Sequence, residues 1–227
     1  MILIPVKNLA HAKQRLSAVL DQSARTELAR AMLSDVLDTV SKCGVEVALV
    51  TSDPFALELA AQHGFEVIRD HANRSETDAI EMATRVCAER GVERTLVIPA
   101  DIPLIESDDV RMIYDRAPAR GSVLVPAADK RGTNAILRSP AALFPLRFGN
   151  DSFVPHHAAA RATNNPCVVL SLPRVALDID TPEDLRELVR ASGEKRSQML
   201  ARKLGFGQVE ALKSASVDGH PSVTANS

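Results

Sequence analysis

No run of apolar residues in this chain approaches the length of a membrane span, and Met1-Ile2-Leu3-Ile4-Pro5-Val6 is followed at once by polar residues, too short for a signal core. A membrane-embedded or secreted reading is therefore set aside, and a cytoplasmic protein is expected. Charge of one sign is lacking too. With 27 basic and 29 acidic residues the balance is −2, so nothing in bulk draws the chain to nucleic acid or to an anionic membrane. Any anion it binds must be captured locally. Cysteine is scarce: Cys43, Cys87 and Cys167 are odd in number, widely separated and form no CxxC pair, which speaks for reduced thiols in the core and against a zinc site or disulfide framework. Internal repeats are absent. So is a nucleophile elbow, which leaves the adjacent His156 and His157 without a hydrolase triad to belong to.

What is present alternates. Met1 to Val6 reads as a strand, and Asp21 opens a helix whose Leu28, Met32, Val36 and Val40 recur every four residues. Strands at Val45 to Thr51, Phe65 to Ile68 and Thr95 to Ile98 are separated by helices at Pro54 to His63 and Glu76 to Arg90, and a further helix is expected near Ser107 to Arg116. That βαβα pattern implies parallel strands joined by right-handed crossovers. Ser122 to Pro126 and Asn134 to Leu137 follow as two strands with no helix between, an antiparallel excursion expected at one side of the sheet. Phe153 to Ala162 reads as a helix and Cys167 to Leu172 as a strand. Thr181-Pro182-Glu183-Asp184 is a helix start, with Thr181 as N-cap. The expected organisation is one α/β domain over residues 1–193, a C-terminal helix within 194–213 and a mobile tail at 214–227.

Three groups of residues could carry chemistry. The apolar run Thr95-Leu96-Val97-Ile98-Pro99-Ala100-Asp101 ends on a carboxylate, and Asp178-Ile179-Asp180 places two more between an apolar segment and a helix start. Ligands bind at the open end of a parallel sheet, and three acids converging there would suit a divalent cation. As acids that simply precede a helix N-terminus, Asp178 and Asp180 are also ordinary. Lys7, Lys13 and Arg15 follow the first strand closely enough to clamp a polyphosphate, or to be solvated loop cations. Gly132-Thr133-Asn134 and Phe148-Gly149-Asn150-Asp151-Ser152 are turns able to present donors to an anion, although Ser152 is equally a common N-cap.

Together these segments resemble the guanylyltransferases of coenzyme F420 biosynthesis, the CofC/FbiD family within the MobA-like nucleotidyltransferases. The likeness spans roughly residues 1–190. It is carried by Pro5-Val6-Lys7 with Lys13, Arg15 and Leu16, by Pro99-Ala100-Asp101-Ile102-Pro103, by Gly132-Thr133-Asn134, by Phe148-Gly149 with Ser152 and His156, and by Asp178 through Leu185. The resemblance implies a Rossmann-like three-layer α/β/α domain with a mixed, mostly parallel sheet, of the nucleotide-diphospho-sugar transferase type. It implies transfer of GMP from GTP to the phosphate of a small phosphorylated carboxylic acid (2-phospho-L-lactate, phosphoenolpyruvate or 3-phospho-D-glycerate), releasing pyrophosphate. Asp101, Asp178 and Asp180 would then hold Mg²⁺. Lys7, Lys13 and Arg15 would act with Asp101 on the transferring phosphate, and Val6, Lys7, Lys13, Thr77 and Pro99 would contact the nucleotide. Thr133, Gly149 and Ser152 would hold the acceptor. No nucleic acid or membrane partner is implied, and a homodimer is compatible. Where many relatives carry a Gly-Leu-Asn-type turn against guanine this chain has Ser75-Glu76-Thr77-Asp78, so Thr77 and Asp78 are the expected acceptors for the base edge. The alternatives are a molybdenum cofactor guanylyltransferase, disfavoured by the absence of a glycine-rich N-terminal loop, and a non-catalytic nucleotide-binding module.

Overall fold

The computed structural model describes residues 1–72, 74–149 and 151–207; the expected tail, and residues 208–213 of the expected C-terminal helix segment, lie outside the described residues. Seven strands form one sheet: β1 (Ile2–Val6), β2 (Val47–Thr51), β3 (Glu66–Ile68), β4 (Thr95–Val97), β5 (Gly121–Pro126), β6 (Thr133–Ser139) and β7 (Cys167–Val169). Their order is β3-β2-β1-β4-β6-β5-β7. All neighbours run parallel except at β6, which is antiparallel to both β4 and β5. The antiparallel excursion is therefore a single reversed strand inserted in the interior of the sheet, rather than an addition at its side.

Side chains alternate between the two faces of the strands. Ile2, Ile4, Leu49, Leu96, Val123, Val125, Ala135 and Leu137 face one layer, where α1 (Gln22–Val40), α2 (Pro54–His63), α4 (Ser107–Asp115) and the short α6 (Pro173–Ala176) contribute to the core. Leu3, Ala48, Val50, Val97, Leu124 and Ile136 face the other, against α3 (Glu76–Glu89) and α5 (Phe153–Ala162). Burying each such aliphatic side chain contributes roughly 1.5–3 kcal/mol, so this pattern fixes the register of the sheet.

The helices begin where their side chains can satisfy free backbone N–H groups. Asp21 accepts from Ala24, Asp53 from Phe55 and Ala56, Ser75 from Asp78, and Thr181 from Asp184. A third apolar cluster joins α1, through Leu28 and Met32, to α7 (Pro182–Arg190) and α8 (Arg196–Lys203). Asp35, buried on α1, caps α8 from outside the helix: it accepts from the backbone N–H groups of Arg196 (3.0 Å) and Ser197 (2.9 Å). The C-terminal helix is thus bound into the body of the domain. Among the described residues no helix is long and apolar enough to cross a membrane.

Candidate active site

The carboxyl ends of β1, β2, β4 and β5 form one rim of the sheet, and because β6 is reversed it brings its first residues, Thr133 and Asn134, to that same rim. Asp178, Ile179 and Asp180 reach it from the segment after α6. No strand neighbours Asp101 on their behalf. Instead the Ile179 N–H donates to the Asp101 carbonyl at 3.1 Å, and the buried Asn134 amide donates to the carbonyls of Val175 and Ala176 and to Asp178 Oδ1 (2.9 Å). These bonds set three acids distant in sequence around one space.

Two cavities open there. The larger, about 450 Å³, is lined by Asp101, Asp178, Asp180, Glu76 and Arg15 and, on its far wall, by Arg131, Thr133, Gly149 and Ser152. The smaller, about 240 Å³, is lined by Val6, Lys7, Lys13, Met32, Glu76, Pro99 and Asp101. Glu76, Pro99 and Asp101 border both. The structure therefore brings together the acids, the cations and the acceptor residues singled out in the sequence; Thr77 and Asp78, the expected acceptors for the base edge, line neither cavity, and nor does His156. The Thr77 hydroxyl accepts from the Phe148 N–H at 2.9 Å and lies 3.4 Å from the Phe148 carbonyl, so it holds a loop instead of facing a base. Asp78 is exposed and accepts from its own N-cap, Ser75 Oγ, at 2.8 Å.

Lys7, Lys13 and Arg15 each pair with an acid. Lys13, in the left-handed region at φ 56°, donates to Asp101 Oδ2 (2.5 Å) and Asp180 Oδ1 (2.8 Å), with its side chain 7% exposed. Burial alone would push the Lys13 ammonium pKa down, but the charges of Asp101 and Asp180 outweigh burial and hold it above its ordinary value. For Asp180 burial acts upward, and Lys13 together with Arg15, 3.2 Å from Oδ2, brings the carboxyl below its usual range. Asp178 is raised, by burial first and then by the charges of Asp101 and Asp180, with the Asn134 hydrogen bond partly opposing. Lys7 donates to Asp70 at 2.5 Å.

Glu76 was not singled out, because an acid in the first turn of a helix is ordinary. Its surroundings are not. Burial and the charge of Asp101 push its carboxyl up to about 7 against the pull of Lys7 and Lys13.

Among the described residues no three Asp, Glu, His or Cys side chains form a ready-made metal cage. Lys13 stands between Asp101 and Asp180, and both oxygens of Asp180 are engaged by cations. Asp101 Oδ1, however, is buried and has no hydrogen-bond partner, and Asp178 commits one oxygen to Asn134. A hard cation that binds through one or two carboxylates and completes its shell with water and phosphate fits that donor set.

The far wall is built around His156, which is 1% exposed and outside both cavities. Burial and then the Arg138 charge hold its pKa down at about 4. The Arg147 N–H donates to Nε2 at 2.8 Å, and Nδ1 lies 3.0 Å from Thr133 Oγ1. Ser152 precedes α5 without capping it; its Oγ accepts from the Thr133 N–H at 3.0 Å. Gly149 has φ +121°, a conformation suited to glycine. The segment leading to it is stitched to α3, the Leu146 N–H donating to Glu81 at 2.9 Å and the Phe148 N–H to Thr77. In the sequence His156 enters the resemblance one helical turn after Ser152, but nothing local gives it a partner or a task.

Comparison with known proteins agrees with this architecture. The family described as "Guanylyl transferase CofC like" matches residues 1–221. The 2-phospho-L-lactate guanylyltransferase of Methanothermobacter thermautotrophicus is 34% identical over 204 residues, covering 90% of this chain and 90% of that protein. The phosphoenolpyruvate guanylyltransferase of Roseiflexus castenholzii is 36% identical over 202 residues, 88% of this chain and 93% of its own. A crystal structure from Desulfovibrio desulfuricans, described as a nucleotide-diphospho-sugar transferase, shares the fold with a TM-score of 0.75 at 18% identity, over 89% of this chain and 93% of that one. The molybdenum cofactor and non-catalytic alternatives find no support in these matches.

Proposed function

The chain belongs to the CofC-like guanylyl transferase family, and from that premise we propose that it moves GMP from GTP, held at the smaller cavity, onto a small phosphorylated carboxylic acid held at the larger one. The observation that carries the proposal is the shared border of the two cavities at Pro99, Asp101 and Glu76, with a buried, unpartnered oxygen on Asp101. Thr133, Gly149 and Ser152 bound the acceptor side and Val6, Lys7, Lys13 and Pro99 the nucleotide side.

An oxygen of the acceptor phosphate attacks the α-phosphorus of GTP, the bond from that phosphorus to the bridging oxygen breaks, and pyrophosphate leaves. A phosphate monoester is largely deprotonated at neutral pH, so no protein group has to remove a proton. Of the three acids expected at the metal, Asp101 and Asp178 would hold Mg²⁺, which when bound neutralises charge on the phosphate oxygens, whereas Asp180 has both oxygens engaged by Lys13 and Arg15. Lys13 and Arg15 supply fixed positive charge beside Asp180 as negative charge shifts toward the leaving group. The walls of the two cavities align the reactants, where most of the rate advantage of such a reaction lies. We place the reaction in the cytoplasm, in keeping with three free thiols.

The test is a panel: GTP or ATP, with Mg²⁺ and each of 2-phospho-L-lactate, phosphoenolpyruvate and 3-phospho-D-glycerate, reading pyrophosphate and the guanylylated product. One acid should dominate, with GTP preferred. Asp101→Asn should lower kcat by ~10²-fold or more with unchanged circular dichroism. Turnover of that variant within a few-fold of the parent would remove Asp101 from the reaction.

A further inference from the structure

We infer that His156 is a positioning residue for the acceptor: its imidazole locks the Thr133 hydroxyl into the role of proton donor toward the larger cavity while anchoring the loop that carries Gly149. The inference rests on the acceptor placement above. It goes beyond it in assigning a task to a side chain that touches neither cavity.

The argument follows from counting protons. Arg147 N–H is an obligatory donor, and at 2.8 Å it points to Nε2, which must therefore carry the lone pair. A neutral imidazole then has its one proton on Nδ1, and the low pKa of this buried ring keeps it neutral across the physiological range. Nδ1–H, 3.0 Å from Thr133 Oγ1, makes the hydroxyl an acceptor in that bond. The hydroxyl proton must look elsewhere, and among the described residues it meets no protein acceptor. The cavity is the space it faces. Ser152 repeats the logic, its Oγ accepting from the Thr133 N–H so that its own proton is also released to the cavity.

Two hydroxyls thus meet the ligand as donors, a polarity that favours a carboxylate or phosphate oxygen and penalises a group that must itself donate. The same ring, edge-on to Phe148 at 5.1 Å between centroids, fixes the loop through Arg147. One side chain couples both walls of the acceptor subsite.

The two functions of the ring separate by substitution. In His156→Asn the side-chain amide lies near the former Nδ1, keeping a donor for Thr133; in His156→Gln it lies near the former Nε2, keeping the Arg147 anchor and losing that donor. Both are compared with the parent, Thr133→Val, Ser152→Ala and the Thr133→Val/His156→Gln double variant. Each is checked for its thermal midpoint and for separate Michaelis constants for GTP and acceptor. His156→Gln should raise the acceptor constant about tenfold and leave that for GTP unchanged, the size expected for losing one oriented hydrogen bond to an anion. His156→Asn should restore it to within about threefold. In the Thr133→Val background His156→Gln should add less than about twofold, since its effect passes through the missing hydroxyl.

An unchanged acceptor constant in His156→Gln, or a full tenfold effect without the Thr133 hydroxyl, overturns the inference and leaves the acceptor placement standing. Unaltered acceptor constants in both Thr133→Val and Ser152→Ala overturn the placement itself, and the inference with it.

Discussion

Replacing Glu76 by Gln should stabilise the ligand-free protein, and the gain should depend on pH in one direction. Glu76 stands between the two cavities, where burial and the neighbouring Asp101 charge raise its carboxyl from 4.5 to about 7. A group raised above its unfolded value contributes stability that is complete below the unfolded pKa and is lost as pH rises through the folded one. A displacement of this size corresponds to about 3 kcal/mol once the group is fully ionised. Because part of the side chain is open to water at the cavity mouth, about 2 kcal/mol is the expected difference. Urea unfolding of both proteins between pH 4 and 8.5 measures it. The Gln variant should match the parent near pH 4, draw ahead as pH rises from about 4.5 to about 7 and keep a constant lead from there to about pH 8.5. Parallel stability curves, or a variant less stable at alkaline pH, would refute the idea that an ionised Glu76 is held against its surroundings.

Lys13→Met leaves Asp101 and Asp180 without their shared cation and should cost roughly 2–4 kcal/mol near neutral pH. Lys13 holds Asp180 below its usual range, so that cost should fade as pH falls and the carboxyl protonates; thermal melts at neutral pH and near pH 3 decide it. Asp35→Ala removes the cap of α8 and should lower stability by about 2 kcal/mol, with amide exchange accelerated first in Arg196–Lys203 and catalytic constants unchanged. Gly149→Ala meets no atom within 4 Å, so its effect comes from the backbone at φ +121° alone. Roughly 1–2 kcal/mol of strain should appear as a weaker acceptor Michaelis constant, with that for GTP unmoved.

Much of this molecule was readable before its coordinates. The strands that alternate or run fully apolar, and the helices opened by Asp21, Asp53 and Thr181, depend on neighbours a few residues away, and they fall where local chemistry puts them. The expected strand to Leu172 stops at Val169 because Pro173 starts the short helix α6. The interior place of β6 was out of reach, since pairing between Thr95 and Arg138 leaves no local trace. The site divides the same way. Asp101 announces itself as a charge ending an apolar run. Glu76 and His156 look commonplace in sequence and acquire meaning from partners elsewhere, Asp101 for one and Arg147 with Thr133 for the other. Thr77 shows the converse, a polar residue beside a suggestive turn whose hydroxyl is occupied by Phe148.

The reversal of β6 has an evolutionary implication. A parallel strand must be fed by a long crossover, but the hop from β5 to β6 is a short hairpin, and it falls beside the acceptor, where Asp129, Arg131 and Gly132 border the larger cavity. Hairpin tips tolerate insertion, deletion and exchange better than any crossover. Mutation can therefore resculpt the pocket for a different phosphorylated acid at this tip, leaving Asp101 and the nucleotide half of the machine untouched.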